Sequence, residues 1–409
     1  MLRFHYSWQL NLRNPSQDVK DIHKLFVKDG HKLYLVGGCV RDFLLGKIPH
    51  DFDMVTDALP DEIVEILDGY RTDIHGAKFG VVRVYTESEP LGYEIATYRK
   101  DISKGRANKG NDQKVEIGKH LTIKDDVRRR DLTINALFYD IGTHEIVDVV
   151  GGMKDLENKI IRAVGVPQKR FDEDRLRILR TIRFAAITDG KIDRATSDAL
   201  LKDNRLFGIS DDDDVSRERI FKEFLSVKKA AKDNSDPTII TRFIDLLIDY
   251  NILGQIFPVL VTTKSINPTG YLSVALAQTL RSNRPDEKFL DTLVEAKIPT
   301  KYVEEIMFLM KILRNGVRVE NVYEMYREMS AKDIGKDVIE EWIRVMGITD
   351  PMVTGFLKYT PSTTGKEVMT DGFKGAAIGE EIRKREGEKF SNMVKGIRES
   401  KVLKYNEFC

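Results

Sequence analysis

The sequence predicts an α+β protein: an N-terminal module of strands and helices, then an almost wholly helical remainder. Three observations carry that expectation. From about residue 32 to 150, short runs rich in Val, Ile and Tyr ("KLYLVGG", "FGVVRVYT", "YEIATYR", "EIVDVV") alternate with helical or loop segments. After "DVVGGMKDLENKIIRAVG" the strand signal fades. Beyond it, "DEDRLRILRTIRFAA", "SRERIFKEFLSVKKAAK" and "TRFIDLLIDYNILGQIFPVL" repeat apolar residues at helical spacing.

At 409 residues the chain exceeds one compact core, and roughly 150 residues per domain gives two to four domains. Apolar residues at 41% and charged residues at 32% make a globular composition with enough side chains for a sizeable core. The net charge of +1 leaves any nucleic-acid contact to local clusters of Lys and Arg. Cys39 and Cys409 are the only cysteines, which excludes a disulfide framework or Cys-rich metal site and fits a reducing cytoplasm. The opening "MLRFHYSWQLNLRNPSQD" lacks the apolar core of a signal peptide, and no run approaches the roughly 18 apolar residues of a membrane span. A soluble, unexported, cytoplasmic protein is expected.

Taken in chain order, the first informative stretch is "LVGGCVRDFLLGKIPHDFDMV". A strand runs into a helix through Gly37 and Gly38, where bare backbone can approach a triphosphate and free amides can donate to it. Arg41 is near enough to help. The pattern is neither GxGxxG nor a P-loop with its Lys-Ser/Thr. In "HDFDM", strand alternation puts Asp51 and Asp53 on one side and Phe52 on the other. Two such carboxylates repel unless a cation sits between them, and hard divalent ions such as Mg²⁺ take one or two carboxylates plus substrate phosphates. A GG alone is usually a tight turn and a DxD a solvated edge; their combination points to a phosphoryl-transfer metal site.

Further along, His50 and His75 ("TDIHGAKFGVVRV") read as turn or surface residues. "RKDISKGRANKGNDQKVEIGKHLT" reads as a long mobile loop with a basic balance. In "YEIATYR", Glu94 falls on the strand face opposite Ile95. "EDRLRILRTIRF" reads as a helix with Leu176, Leu179 and Ile182 toward a core, and Asp174 and Arg177 three apart on another face. The acidic run Asp211 to Asp214 is a solvated loop or helix start, and no repeat of fixed period is found.

In order, "GGCVRDFLLGKIPHDFD", "YEIATYR", "RRDLTINALFYD", "EDRLRILRTIRF" and "SRERIFKEF" resemble the class II template-independent nucleotidyltransferases, the family of tRNA CCA-adding enzymes and bacterial-type poly(A) polymerases. The resemblance covers about 30 to 260, and "TTGKEVMTDGFKGAAIGEEI" is similar to the tail of CCA-adding enzymes. It implies a catalytic head with a small mixed sheet (1–150), then an all-helical neck (151–210), body (211–300) and tRNA-binding tail (301–409). Asp51 and Asp53 would hold Mg²⁺, with Glu94 as third catalytic acid. Gly37, Gly38, Arg41, Arg129, Arg130, Asp131, Asp174, Arg177 and Arg180 would bind the nucleotide. Arg suits phosphate oxygens and Asp131 a ribose hydroxyl, whereas Asn135 supports local backbone. Asp174 and Arg177 would read the base: cytosine and adenine both place an amino donor beside a ring-nitrogen acceptor, and uracil and guanine reverse that order.

The partners implied are tRNA, CTP and ATP. Some positions depart from the family pattern: "HGAKFG" replaces a His-Gly-Thr ending, Arg175 stands where Pro is frequent, and Leu132 where Phe is usual. Lys78 and Phe79 are faintly similar to the basic-aromatic variant of poly(A) polymerases, which makes that activity the alternative. A catalytically silent RNA-binding protein on this fold is the alternative of another class; retention of all three acids speaks against it.

Overall fold

The computed structural model describes residues 2–4, 15–49, 51–102, 115–207 and 215–406, with side chains described from 15 to 397. The readings at His50, Asp211 to Asp214, Cys409 and positions 103–114 of the basic loop lie outside the described residues. The chain forms two compact units, Met1–Ile220 and Phe221–Cys409.

The first unit is built on β1 (Leu2–Phe4), α1 (Gln17–Lys28), β2 (Leu33–Val36), α2 (Gly38–Leu44), β3 (Met54–Thr56) and α3 (Pro60–Ile66). There follow β4 (Arg71–Asp73), β5 (Val81–Tyr85), β6 (Tyr93–Thr97), β7 (Arg99–Asp101), β8 (Val115–Ile117) and α4 (Ile123–Arg128). β9 (Phe138–Asp140), β10 (Glu145–Asp148), α5 (Gly152–Glu157), β11 (Ile160–Ile161), α6 (Pro167–Glu173) and α7 (Leu176–Thr188) bring the chain to the second part of this unit. Eight strands make one mixed sheet in the order β1-β10-β9-β2-β3-β6-β5-β4. Within this sheet, among the described residues, only β3 and β6 pair in parallel, with Met54 opposite Ile95; the other neighbours are antiparallel.

Side-chain alternation sorts the sheet into two buried faces. Leu33, Leu35, Met54, Val82, Val84, Ile95, Tyr139 and Ile146 face one core, against Val19, Ile22 and Phe26 of α1, Val40 and Phe43 of α2, and Ile63 of α3. Tyr34, Val36, Val55, Phe138 and Val147 face the other, with Ile123 and Val127 of α4. Both sides are therefore covered, which explains why these strands read as unbroken apolar runs. Transfer of each such side chain from water contributes roughly 1.5–3 kcal/mol.

Three expectations are corrected. The strand carrying the paired acids begins only at Met54, so Asp51 and Asp53 precede it. The backbone ladder nevertheless runs one bond further, from the Val36 amide to the Asp53 carbonyl at 3.0 Å. The basic stretch is no plain loop at its ends, because β7 and β8 pair as an antiparallel ribbon. "EDRLRILRTIRF" is not one helix: α6 ends at Glu173, Asp174 is extended (φ −151°, ψ 108°), and α7 starts at Leu176. Asp174 stops the first helix and starts the next, its carboxylate accepting from the Leu176 amide at 3.0 Å and its carbonyl from the Arg177 amide at 3.0 Å. Leu179 and Ile182 are fully buried and Leu176 nearly so, as their spacing predicts.

Among the described residues the second unit is all helical, from Thr238–Asp249 to the long Ala376–Asn406. No helix among them is long and apolar enough to cross a membrane. The segment similar to a CCA-adding tail folds as helix Gly365–Thr370, capped reciprocally by Thr364 and Glu367, followed by the start of the long helix. Glu386 on that helix is 0% exposed and accepts from the Tyr359 hydroxyl (2.8 Å), the Ser362 and Thr363 amides (3.1 and 2.6 Å) and the Lys389 ammonium (3.2 Å).

Burial alone would raise the Glu386 carboxyl, but the donors from Thr363, Tyr359 and Ser362 bring it down to about 2. A depressed carboxylate adds stability that is present above its unfolded value near 4.5 and lost as pH falls toward about 2. Glu386→Gln is expected to lower the unfolding free energy by about 2 kcal/mol at neutral pH, since it leaves buried donors poorly matched. Urea denaturation across the acid range checks it: the gap between parent and variant must shrink below pH 4.5, and a constant gap refutes the assignment.

Candidate active site

Met54 and Ile95 sit on the first sheet face, so the residues one step before each emerge on the other face, Asp53 just before β3 and Glu94 within the adjacent β6. Phe52 fixes this phase where the ladder has ended. Its ring packs on the first face against Phe43 (centroids 5.8 Å apart) and Tyr93 (6.4 Å), which turns the flanking acids away from that core. Phe52 therefore lies to one side and Asp53 to the other, as expected, without a regular strand.

The Asp53 carboxyl is raised above its ordinary value, first by desolvation and then by the negative charges of Glu94 and Asp51, with Arg130 opposing. Its side chain keeps some open surface, so the desolvation comes from groups packed close beside it and the charges of Glu94 and Asp51 add to it. Glu94 is ion-paired with Arg83, its register partner on β5. Among the described residues no three His, Cys, Asp or Glu side chains converge on one point as a metal cage. Neighbouring carboxylates with hard oxygen donors, of which Asp53 resists its own ionisation, suit a cation that completes its shell from water and phosphate.

The glycine turn adjoins these acids. Gly37 has φ +78°, a conformation L side chains rarely adopt, and a Cβ there would lie 3.4 Å from an Arg130 nitrogen. Its amide is not free, since it donates to the Leu137 carbonyl at 3.2 Å. A Cβ on Gly38 would lie 3.6 Å from Arg41, an ordinary van der Waals contact, so what demands glycine at the turn is the positive φ of Gly37, and both guanidinium groups pack beside it. Arg41 donates to Asp42 (2.8 and 3.0 Å) and to the Asn135 side-chain oxygen (2.5 Å).

Asn135 in turn donates to Asp131 at 3.3 Å, and the other Asp131 oxygen accepts from Arg180 at 2.6 Å. The side chains therefore form one chain, Asp42–Arg41–Asn135–Asp131–Arg180, from the glycine turn to α7. Asn135, read from sequence as backbone support, is its central link. Burial alone would raise the Asp131 carboxyl; the adjacent Arg180 holds it below the ordinary range.

Arg129 and Arg130 are both fixed by Asp126, a fully buried carboxylate at 2.7 to 3.0 Å from them. Desolvation would push Asp126 up, and Arg130 and Arg129 hold it down. The spacing of "DDVRRRD" at i,i+3 and i,i+4 is the signal that identifies this anchor. Arg99, at the start of β7, joins the cluster: burial and then the charge of Arg129 lower its pKa to about 10, and it donates to the Phe79 carbonyl at 2.8 Å.

Asp174 and Arg177 do not face each other. Asp174 pairs with Arg219 at 3.0 Å, whereas Arg177 donates to Glu173 (2.6 Å) and to the carbonyls of Arg170 (3.2 Å) and Arg129 (2.8 Å). The shared helical face is lost because the two residues stand on either side of the break before α7. His75 is an exposed turn residue bonded to Asp73, as predicted. Arg175 is buried and bridges Asp172 (3.1 Å) and Asp203 (2.8 Å), and Leu132 lies in the core.

Residues 33–162 match the Poly A polymerase head domain. Poly(A) polymerase I of Salmonella typhi is 29% identical over 334 residues, covering 80% of this chain and 67% of that protein. The CCA-adding enzyme of Enterococcus faecalis is 40% identical over 198 residues, 48% of this chain and 45% of its own length. In fold, the chain is similar to the Bacillus stearothermophilus CCA-adding enzyme solved in complex with CTP (TM-score 0.64, 22% identity, covering 95% and 98% of the two chains). It is also similar to the Thermotoga maritima CCA-adding enzyme complexed with tRNA (TM-score 0.62, 18% identity, 98% and 100%).

The raised Asp53 carboxyl, desolvated and set beside Glu94 and Asp51, gives a stability prediction. A carboxyl raised in the folded state weakens the fold once pH exceeds its ordinary value, so Asp53→Asn is expected to raise the melting temperature at pH 7 in chelator. Solvent screening limits the gain to about 2 °C. Calorimetry with EDTA measures it, and the gain must fade on acidification; a lower melting temperature at pH 7 refutes the crowding of the three acids.

Proposed function

The chain belongs to the class II template-independent nucleotidyltransferases, and from that premise we propose that it is a CCA-adding tRNA nucleotidyltransferase. In this reading it restores C, C and A to the tRNA 3′ end from CTP and ATP and releases pyrophosphate. The observation that carries it is the emergence of Asp53 and Glu94 side by side on one sheet face, with Asp51 close by and Arg130 and the glycine turn alongside.

Nucleotidyltransferases of this family generally use a divalent metal. Asp51 and Asp53 would hold Mg²⁺, which supplies charge neutralisation at the phosphates and acidifies an attacking hydroxyl. Asp53 gains most from a cation, because its neighbours already disfavour its ionised form. Glu94 contributes a further negative charge in a position fixed by Arg83. Gly37 and Gly38 admit the triphosphate to the backbone, and Arg41, Arg129 and Arg130, held by Asp42, Asn135 and Asp126, present fixed cations to it.

Asp131 would accept from the ribose hydroxyl in exchange for part of its contact with Arg180. Asp174 and Arg177 would read the base edge after releasing Arg219 and Glu173. An Asp acceptor and an Arg donor match both cytosine and adenine, and each mismatched buried group against uracil or guanine costs about 1–3 kcal/mol. In the finer division proposed, these two residues lie in a neck (151–210), followed by a body (211–300) and a tail (301–409) that holds tRNA through phosphate contacts.

Poly(A) polymerase activity is the second reading, favoured by the 29% identity to poly(A) polymerase I across 80% of the chain. Addition to a tRNA ending at its discriminator base separates the two on a sequencing gel. Products are expected to stop after three nucleotides, and long A tracts on tRNA and unrelated RNA alike would transfer the assignment to poly(A) polymerase. Arg177→Ala is expected to relax choice among the four triphosphates by about tenfold or more with tRNA affinity little changed. Kinetics with all four nucleotides decide it; unchanged discrimination against UTP and GTP removes the protein-template role.

A further inference from the structure

Phe184 of α7 can neither donate nor accept a hydrogen bond through its side chain, yet guanidinium groups collect around it. Its ring is 6% exposed, and its centroid lies 4.6 Å from Arg183, 4.8 Å from Arg41 and 5.7 Å from Arg180. Arg180 and Arg183 share its helix, whereas Arg41 arrives from α2, immediately after the glycine turn. Three like charges around one largely buried ring repel, and the attraction of cations to the aromatic quadrupole offsets that repulsion. A cation–π contact also consumes no N–H donor, unlike a carboxylate partner.

We propose that Phe184 is a positioning residue that gathers Arg41, Arg180 and Arg183 into one receptor for the polyphosphate of the incoming nucleotide. Location points to that ligand class. The Arg41 guanidinium stands 3.6 Å from where a Gly38 side chain would begin, so the cluster borders the half-buried Gly38 of the turn. A string of anionic oxygens matches several clustered cations, whereas a single carboxylate or a base edge does not. The polar chain through Asn135 and Asp131 fixes Arg41 and Arg180 from one direction, and the ring holds them from another. The assignment rests on the nucleotidyltransferase reading above, but binding of free pyrophosphate tests it without requiring turnover.

The experiment compares Phe184→Met, which keeps apolar bulk without a π face, with Phe184→Tyr, which keeps the ring. Calorimetric titration with inorganic pyrophosphate and steady-state kinetics for CTP, ATP and tRNA are read on each. Phe184→Met is expected to weaken pyrophosphate binding and raise both nucleotide KM values about tenfold, with kcat and the tRNA KM nearly unchanged, and Phe184→Tyr to behave like the parent. Parent-like pyrophosphate binding by Phe184→Met, equal damage in Phe184→Tyr, or a rise confined to the tRNA KM overturns the proposal. If Phe184→Met does not fold, Arg183→Met takes its place with the same tenfold expectation, and parent-like binding again overturns it. A parent protein that binds pyrophosphate but adds no nucleotide would instead overturn the nucleotidyltransferase reading.

Discussion

The parallel pairing of β3 with β6 is the constraint on which the candidate site depends. Every other contact in this sheet is antiparallel, and this one alone sets Met54 beside Ile95. Both residues are drawn into the same core, so their predecessors Asp53 and Glu94 must leave together on the opposite face. A slip of one residue would bury a carboxylate and expose a core side chain, a cost that fixes the register. The site is thus specified by apolar residues that never touch it, and Phe52 extends their control past the end of the strand.

Crowding the acids has an electrostatic consequence that the surrounding cations answer only in part. Arg83 takes up Glu94, and Arg130 lowers Asp53 without cancelling the effects of desolvation, Glu94 and Asp51. Meanwhile Arg129 and Arg130 are committed to Asp126, which fixes their place. The result is an acidic point beside a basic one, each short of full compensation. In the proposed reading a phosphate-bearing substrate with a divalent ion would supply both missing charges at once.

The strands of the α+β module and the helical remainder were legible because apolar periodicity reports burial directly. "YEIATYR" placed Glu94 opposite Ile95 correctly, and Leu179 and Ile182 fell in the core. What the sequence concealed was long-range partnering. Nothing local in "TIN" says that Asn135 joins Arg41 to Asp131, and nothing in "RTIRF" says that Arg41 will meet Phe184. The break at Asp174 was hidden for a different reason. Helical periodicity continues through "EDRLRILR", and the outcome turned on a short carboxylate capturing the Leu176 amide, a capping choice that spacing cannot register. The unpaired ends of the basic stretch likewise look like loop until β7 finds β8.

That break bears on how a protein could choose between bases. On one continuous helix Asp174 and Arg177 would be locked in fixed mutual geometry, and an intrahelical ion pair between them would compete with any base. Across the break each is instead held by a different partner, Arg219 for Asp174 and Glu173 for Arg177. Neutralising each separately keeps two charges from collapsing on one another while no base is present. In the proposed reading a base edge would then replace two independent charge-assisted contacts, and only one that offers an amino donor beside a ring acceptor would restore both. Discrimination in the proposed reading therefore comes from what a wrong base fails to give back. Because cytosine and adenine would give back the same two contacts, this pair could not count additions in that reading, and the end of the proposed reaction would be set by how the RNA itself is held.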